Sequence, residues 1–283
     1  MISVNHLTYS YPHSKQPVLL DVSFEIAEGE IFGFLGPSGA GKSTTQKIFY
    51  KVLEDYGGEV QVRGKPLKSW GTDYFENIGV GFELPNHYLK LTARENMQLF
   101  SSFYRKERLL DVEELFDALG LLEHIDQRVE EFSKGMKMRL NFIRAILHNP
   151  DVLFFDEPTS GLDPVNARKV KDAILKLKNQ GKTIFVTTHD MTTAEELCDR
   201  VSFLVEGQIR LTERPSVLRK KYGRHIVRVV LQDQKTAEFP LQDLAENREF
   251  LDFLSHGDIL SINSLGASLE EVFIQVTGTS LAQ

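Results

Sequence analysis

Cysteine is almost missing from this chain. Cys198 is the only one in 283 residues, which excludes an intramolecular disulfide and any cysteine-cluster metal site. It falls at helical spacing with Met191, Ala194 and Val201 and reads as a small buried hydrophobe. No uncharged apolar run approaches the length needed to cross a bilayer. Met1-Ile2-Ser3-Val4-Asn5 carries neither the basic region nor the apolar core of a secretion signal. The expectation is a cytoplasmic protein unless a partner holds it elsewhere. Basic residues are not in excess: 33 Lys and Arg stand against 40 Asp and Glu, a net charge of −7 that weighs against a broad nucleic-acid surface. Internal repeats and low-complexity tracts are absent too. What remains is 41% hydrophobic and 26% charged, enough for one large globular domain and a smaller one.

The organising stretch is Gly36-Pro37-Ser38-Gly39-Ala40-Gly41-Lys42-Ser43-Thr44. It follows the apolar run Ile31 to Leu35 and leads into a helical segment, the setting in which G-x-x-x-x-G-K-[ST] cradles phosphate. Its glycines let successive backbone N–H groups point inward at a helix N-terminus. Lys42 would reach the outer phosphates and the Ser43 hydroxyl would sit on Mg2+. A glycine-rich turn in another fold is the competing reading.

Around this loop the chain alternates in character. Val4 to Tyr9 and Val22 to Ile26 read as antiparallel strands separated by the turn Pro12-His13-Ser14-Lys15. Tyr11, exposed by that turn, could stack on a purine or simply pack. Lys42 to Val52 reads as helix, Val60 to Val62 as strand, and Gly64-Lys65-Pro66 as the close of that hairpin. Ile78 to Phe82 is a further strand. Thr92 and Glu95 form a capping box that opens a helical stretch running to about Asn149. Val152 to Phe155 and Thr183 to Thr187 are buried parallel strands flanking the helix Pro164 to Gln180. Beyond Pro215, His225 to Leu231 and Asp258 to Asn263 read as strands, with helices between Asp243 and Leu254 and over Ser268 to Val276. Lys42, Asp156, Glu157 and His189 all follow strand C-termini, where open α/β sheets collect ligands.

Asp156 can hold Mg2+ through water, and Glu157 is placed to polarise an attacking water. At this point the residues carry a resemblance. The order Tyr11, phosphate loop, Phe132-Ser133-Lys134-Gly135-Met136, Val152 to Glu157, Ser160-Gly161-Leu162-Asp163 and His189 resembles the ATP-binding subunit of an ABC transporter, over residues 1 to about 215. The resemblance implies an α/β P-loop NTPase with an ABC-type core sheet, an antiparallel β subdomain and a helical insert at about 84–149. These would form residues 1–218, followed by a small α+β extension, 219–283. It also implies that Tyr11 stacks on adenine, that His189 contacts the γ-phosphate, and that Ser160 to Asp163 joins two subunits. Ser133 and Gly135 would meet the other subunit's ATP, so a homodimer is the simplest assembly. The cofactors expected are ATP and Mg2+.

Three departures stand out. Phe132, Lys134 and Met136 replace Leu, Gly and Gln of the usual signature. Lys134 either strengthens ATP-dependent closure or carries its charge into solvent. Glu83 stands where the family places a Gln that reaches Mg2+; a carboxylate can still ligate a hard cation, or Glu83 merely caps the helical insert.

Ile78 to Tyr88, Phe132 to Lys137 and Ser268 to Phe273 with Thr277-Gly278 resemble bacterial drug-exporter ATPases. Such proteins work with separate integral membrane permease subunits and so sit peripherally on the inner face of the membrane; Leu84 to Leu91 would lie near that partner. Two rivals are a soluble ABC ATPase acting on ribosomes or DNA, and a non-hydrolysing nucleotide-binding scaffold. The first lacks a second ATPase unit, coiled coil or zinc insertion here; the second conflicts with Glu157.

Overall fold

The computed structural model describes residues 1–14, 16–223 and 226–279, so Lys15 of the expected turn and His225 of the expected strand lie outside the described residues. The chain divides into two compact units, Met1–Thr212 and Glu213–Thr279.

The first unit is built on two sheets. Strands β1 (Ile2–Tyr9), β2 (Leu19–Ile26), β4 (Gly57–Val62) and β5 (Lys65–Pro66) form a four-stranded antiparallel sheet in the order β2-β1-β4-β5. Alternating burial along β1 and β2 follows from one face packing inward. The second sheet contains β3 (Ile31–Leu35), β6 (Ile78–Gly81), β7 (Val152–Asp156), β8 (Thr183–Thr188), β9 (Arg200–Val205) and β10 (Gln208–Glu213), ordered β10-β9-β3-β8-β7-β6. The pairs β9-β3, β3-β8, β8-β7 and β7-β6 are parallel. β3 and β8 are buried at every position, as a sheet covered on both faces requires.

Between the sheets, Phe24, Phe32, Phe34, Phe49, Phe154 and Phe185 make a contiguous aromatic core, with Phe24 and Phe32 stacked at 5.3 Å. Helix α1 (Lys42–Phe49) follows β3 and contributes Phe49 to that core. It stops short of the expected Val52, because Lys51 adopts a left-handed conformation, φ 58°. The helical insert holds α2 (Ala93–Ser101), α3 (Val112–Ala118) and α4 (Lys134–Ile146). Thr92 and Glu95 form the expected capping box.

Helices α5 (Pro164–Asn179) and α6 (Met191–Leu197) flank β8 in sequence. The helical spacing read for Cys198 is corrected: α6 ends at Leu197, and Val201 lies on β9. Cys198 is nonetheless buried, its Sγ filling the space that Gly33 leaves on β3. Burial pushes its thiol well up from the usual value.

The second unit places β11 (Ile226–Leu231) between β12 (Thr236–Pro240) and β13 (Ile259–Leu265), antiparallel to both. Val227, Val229, Leu231 and Phe239 pack against Phe250, Phe253 and Leu254 of α8 (Arg248–Ser255). α7 (Pro215–Tyr222) and α9 (Leu269–Thr277) complete it, the latter opened by a Ser268–Glu271 capping box. The single helix expected from Asp243 to Leu254 is instead a 3-10 turn, Leu244–Glu246, and then α8. Asp243 is left-handed and Asn247 caps the new start, so the segment breaks there.

Candidate functional site

The parallel order of β3, β8, β7 and β6 sets four chain ends side by side at one edge of the sheet. The phosphate loop follows β3, His189 follows β8, Asp156 and Glu157 end β7, and Glu83 follows β6. They line one cleft of about 460 Å³ together with Tyr11, Val18, Ser38, Gly39, Gly41, Lys42, Ser43 and Thr44.

Two glycines shape the loop. Gly41 has φ +110°, and a Cβ there would meet Leu19 Cδ2 at 2.7 Å. Gly36 passes so close to β9 that a Cβ would lie 2.1 Å from the Leu204 carbonyl oxygen. Pro37 and Ala40 are tied by a hydrogen bond from Ala40 N to Pro37 O at 3.2 Å. Lys42 Nζ donates to the carbonyls of Gly36 at 2.6 Å and Pro37 at 3.0 Å. Burial lowers its pKa, opposed by the charges of Glu157, Asp156 and Glu83. Ser43 Oγ stands 3.5 Å from Asp156 Oδ2.

Glu157 is a buried carboxylate held by three donors. Its Oε2 accepts from Thr188 Oγ1 at 2.9 Å, and its Oε1 accepts from His189 N at 2.9 Å and lies 2.6 Å from His189 Nδ1. The residue sits at φ 48°, a conformation costing about 1 kcal/mol or more outside glycine. Its backbone N–H donates to Thr187 O at 2.9 Å. The strained turn aims the carboxylate across the strand end toward His189. The other ring nitrogen of His189 has no hydrogen-bond partner among the described residues.

Tyr11 is half-buried rather than exposed. Its ring meets the edge of Tyr9 at 5.1 Å, and its hydroxyl is 3.2 Å from Thr44 Oγ1. The end of β1 lies against α1, which the local turn composition did not reveal. Glu83 lines the cleft, and Thr92, not Glu83, caps the insert's first helix.

Ser133, Gly135 and Asp163 do not line this cleft. Ser133 caps α4 by accepting from Met136 N at 3.2 Å. Asp163 caps α5, accepting from Val165 N and Asn166 N at 3.1 and 3.0 Å, with Asn166 Nδ2 at 2.6 Å. The Asn166 hydrogen bonds hold its carboxyl below the usual range.

Sequence reasoning missed a layer beneath the cleft. Gln46, fully buried on α1, donates from Nε2 to Phe155 O at 3.1 Å and Thr187 Oγ1 at 2.9 Å, and accepts from Tyr50 OH at 2.6 Å. Thr187 in turn donates to Asp156 Oδ1. The available signal was a polar residue one turn after Lys42, on a face otherwise occupied by Thr45, Phe49 and Tyr50.

Among the described residues no group of three or more His, Cys, Asp or Glu side chains forms a ready metal site. The cleft offers the Ser43 hydroxyl and the carboxylates of Asp156 and Glu83. This hard oxygen set fits Mg2+, which keeps waters and takes further ligands from substrate phosphates.

Fold and site define the class: a phosphate-loop nucleotide-binding α/β protein with a carboxylate poised beside the loop. Residues 19–160 match the family model described as ABC transporter. The fluoroquinolones export ATP-binding protein of Mycobacterium tuberculosis is 48% identical over 285 residues, covering 99% of this chain and 94% of that protein. The bacitracin transport ATP-binding protein BcrA of Bacillus licheniformis is 30% identical over 98% of this chain and 97% of its own. A solved ATP-binding subunit of an ABC transporter superposes with a TM-score of 0.71 at 29% identity, covering 78% of this chain and 93% of that one. The ATP-binding cassette MJ0796, solved as a dimer in a post-hydrolysis state with ADP and Pi, gives a TM-score of 0.68 at 28% identity over 76% and 98%. This chain belongs to the ABC transporter family as one of its ATP-binding proteins.

Proposed function

We propose that two copies of this chain close on ATP and Mg2+ and that hydrolysis powers export of a small, drug-like substrate through separate membrane permease subunits. One observation carries the reading: Lys42, Ser43, Asp156, Glu157 and His189 share a cleft, while the Ser133-capped start of α4 lies outside it. A phosphate site that needs that second helix start is completed by another copy.

Within each cleft the loop N–H groups and Lys42 bind the triphosphate, and Tyr11 flanks the adenine. Ser43, Asp156 and Glu83 would hold Mg2+, which neutralises phosphate charge when bound. Glu157 takes the proton of the attacking water, steadied by Thr188 and by His189, whose free ring nitrogen faces the γ-phosphate. Ser133 and Gly135 meet the partner's nucleotide, and the turn ending at Asp163 spans the two copies. Residues 1–218 form the ATPase domain and 219–283 an accessory one.

The partner reading draws on an aromatic groove of about 540 Å³ lined by residues including Phe75, Phe82, Tyr88, Phe100 and Tyr104, beside the exposed Leu84 and Leu89. Among the described residues no helix is long and apolar enough to cross a membrane. The drug-like cargo class comes from the export relatives.

The test is Glu157→Gln. It should abolish turnover and leave a stable ATP-dependent dimer by size-exclusion chromatography; hydrolysis at the original rate would remove Glu157 as the base.

A further inference from the structure

We propose that the second unit pairs two copies of this chain through the free edge of β13, antiparallel about a two-fold axis at Ile262, so that their sheets join into one. This association needs no nucleotide and is separate from the ATP-dependent closure of the first unit.

The two edges of this sheet differ in sequence. β12 is short, carries Glu238 and ends at Pro240, which has no N–H to offer a further strand. β13, Ile259-Leu260-Ser261-Ile262-Asn263-Ser264-Leu265, holds neither a charged residue nor a proline over seven residues. Charge and proline are what keep exposed edges from pairing, and β13 has neither. Its inner side pairs with β11 from Ile259 to Leu265, and the one register shift falls at the Ile259 end, leaving Ser261 to Leu265 regular. Among the described residues no strand lies on its outer side. Alternate backbone N–H and C=O groups there are left for solvent or for another strand.

The side chains agree. Ile262 is paired with Val229 and Ile259 with Leu231, so both share the face on which α8 packs. α8 covers the other margin of that face, where Phe250 and Phe253 meet Phe239 of β12. Ile259 and Ile262 stay 43% and 48% exposed, and Leu260 63%. A second copy is the occupant this edge fits. A two-fold axis at Ile262 sets that residue opposite itself, Ser261 opposite Asn263 and Leu260 opposite Ser264. The central apolar side chain meets its own kind, the polar pair falls on the opposite face, and no like charges confront each other. A strand offering charges would find no counter-charge on β13. The axis runs perpendicular to the sheet, so the open margins beside the two copies of α8 lie on one face, and Ile259 and Ile262 of both join in one apolar strip.

The experiment uses the full chain without nucleotide and reads association by sedimentation velocity across a concentration series. The wild type should show a monomer–dimer equilibrium. Ile262→Lys, which sets two ammonium groups face to face at the axis, should weaken it about tenfold. Ile262→Cys and Thr236→Cys then test the register under mild oxidation, whatever the folding of the Lys variant. Ile262→Cys should give a covalent dimer, since directly opposed residues have Cβ atoms about 4.5–5.5 Å apart. Thr236→Cys, exposed on the β12 edge, should not. Cys198 is buried and does not compete. A wild type that stays monomeric overturns the proposal, as do unchanged association of the Lys variant and equal cross-linking at the two positions. None of these outcomes bears on ATP-dependent pairing of the Glu157→Gln variant, so the edge pairing and the two-copy ATP reading fail separately.

Discussion

Acidification should loosen the first unit through two buried histidines. His87 and His148 are 8% and 1% exposed. His87 Nε2 lies 3.1 Å from Lys137 O and His148 Nε2 lies 2.8 Å from Ile78 O, while both Nδ1 atoms are buried without a partner. Burial is the main cause that pushes each pKa down to about 4. Arg144 and Lys137 add to it for His87, and Arg108 and Lys182 for His148. In the unfolded chain each titrates near 6.5. The folded pKa lies below the unfolded one, so between about pH 6.5 and 4 the unfolded state binds more protons and stability falls as pH falls. Taking the chain from about pH 7 to about pH 5.5 should cost about 1.2 kcal/mol per histidine, about 2.5 kcal/mol for both. For a unit of this size that is a fall in Tm of about 5 to 10 °C. Thermal melts at the two pH values measure it. His148→Gln, which keeps a donor for Ile78 O, should lose about half of the difference. If that variant and the wild type lose equal stability on acidification, His148 is not a buried neutral base and the reasoning fails.

Gln46→Leu removes three hydrogen bonds from beneath the cleft and leaves Tyr50 OH without its acceptor. We expect a loss of about 3 kcal/mol and a drop in ATPase rate as Thr187 and Asp156 lose their support; an unchanged Tm would refute it. Gly79→Ala would set a Cβ 2.0 Å from the Ala145 carbonyl oxygen and 2.7 Å from Leu153 Cδ2. A cost of about 3 kcal/mol is expected, and a melt within about 2 °C of wild type would contradict that packing. Cys198, buried with its thiol pKa raised by burial, should react with a water-soluble disulfide reagent only after unfolding; rapid labelling of the native protein would show otherwise.

Much of the site was legible because its residues mark chain punctuation. The phosphate loop, Asp156, Glu157 and His189 each end an apolar strand, and a strand end is visible in a single sequence as a change from hydrophobic to polar. The start of the signature helix was placed only through the family resemblance; that Ser133 caps it is a finding of the structure. Other features gave weaker signals. β9, β10 and β12 were not read, since each is recognisable mainly by the strand it pairs with. Tyr11 was read as exposed because its local composition is that of a turn, whereas its ring rests on Tyr9 and its hydroxyl on Thr44.

By itself, then, the sequence of Gly36 to Thr44, the acidic pair and the ordered motifs determined the chemistry of phosphate binding and the family, because loop conformation and helix starts are encoded within a few residues. The tertiary structure decided which of those residues meet. Strand order brings the ends of β3, β8, β7 and β6 together and leaves the start of α4 apart from them. It also decided that Gln46 and Thr187 support Asp156 and that Lys134 lies on Gly161. Those contacts join residues far apart in the chain, and only the packing of the sheet and its helices sets their distances.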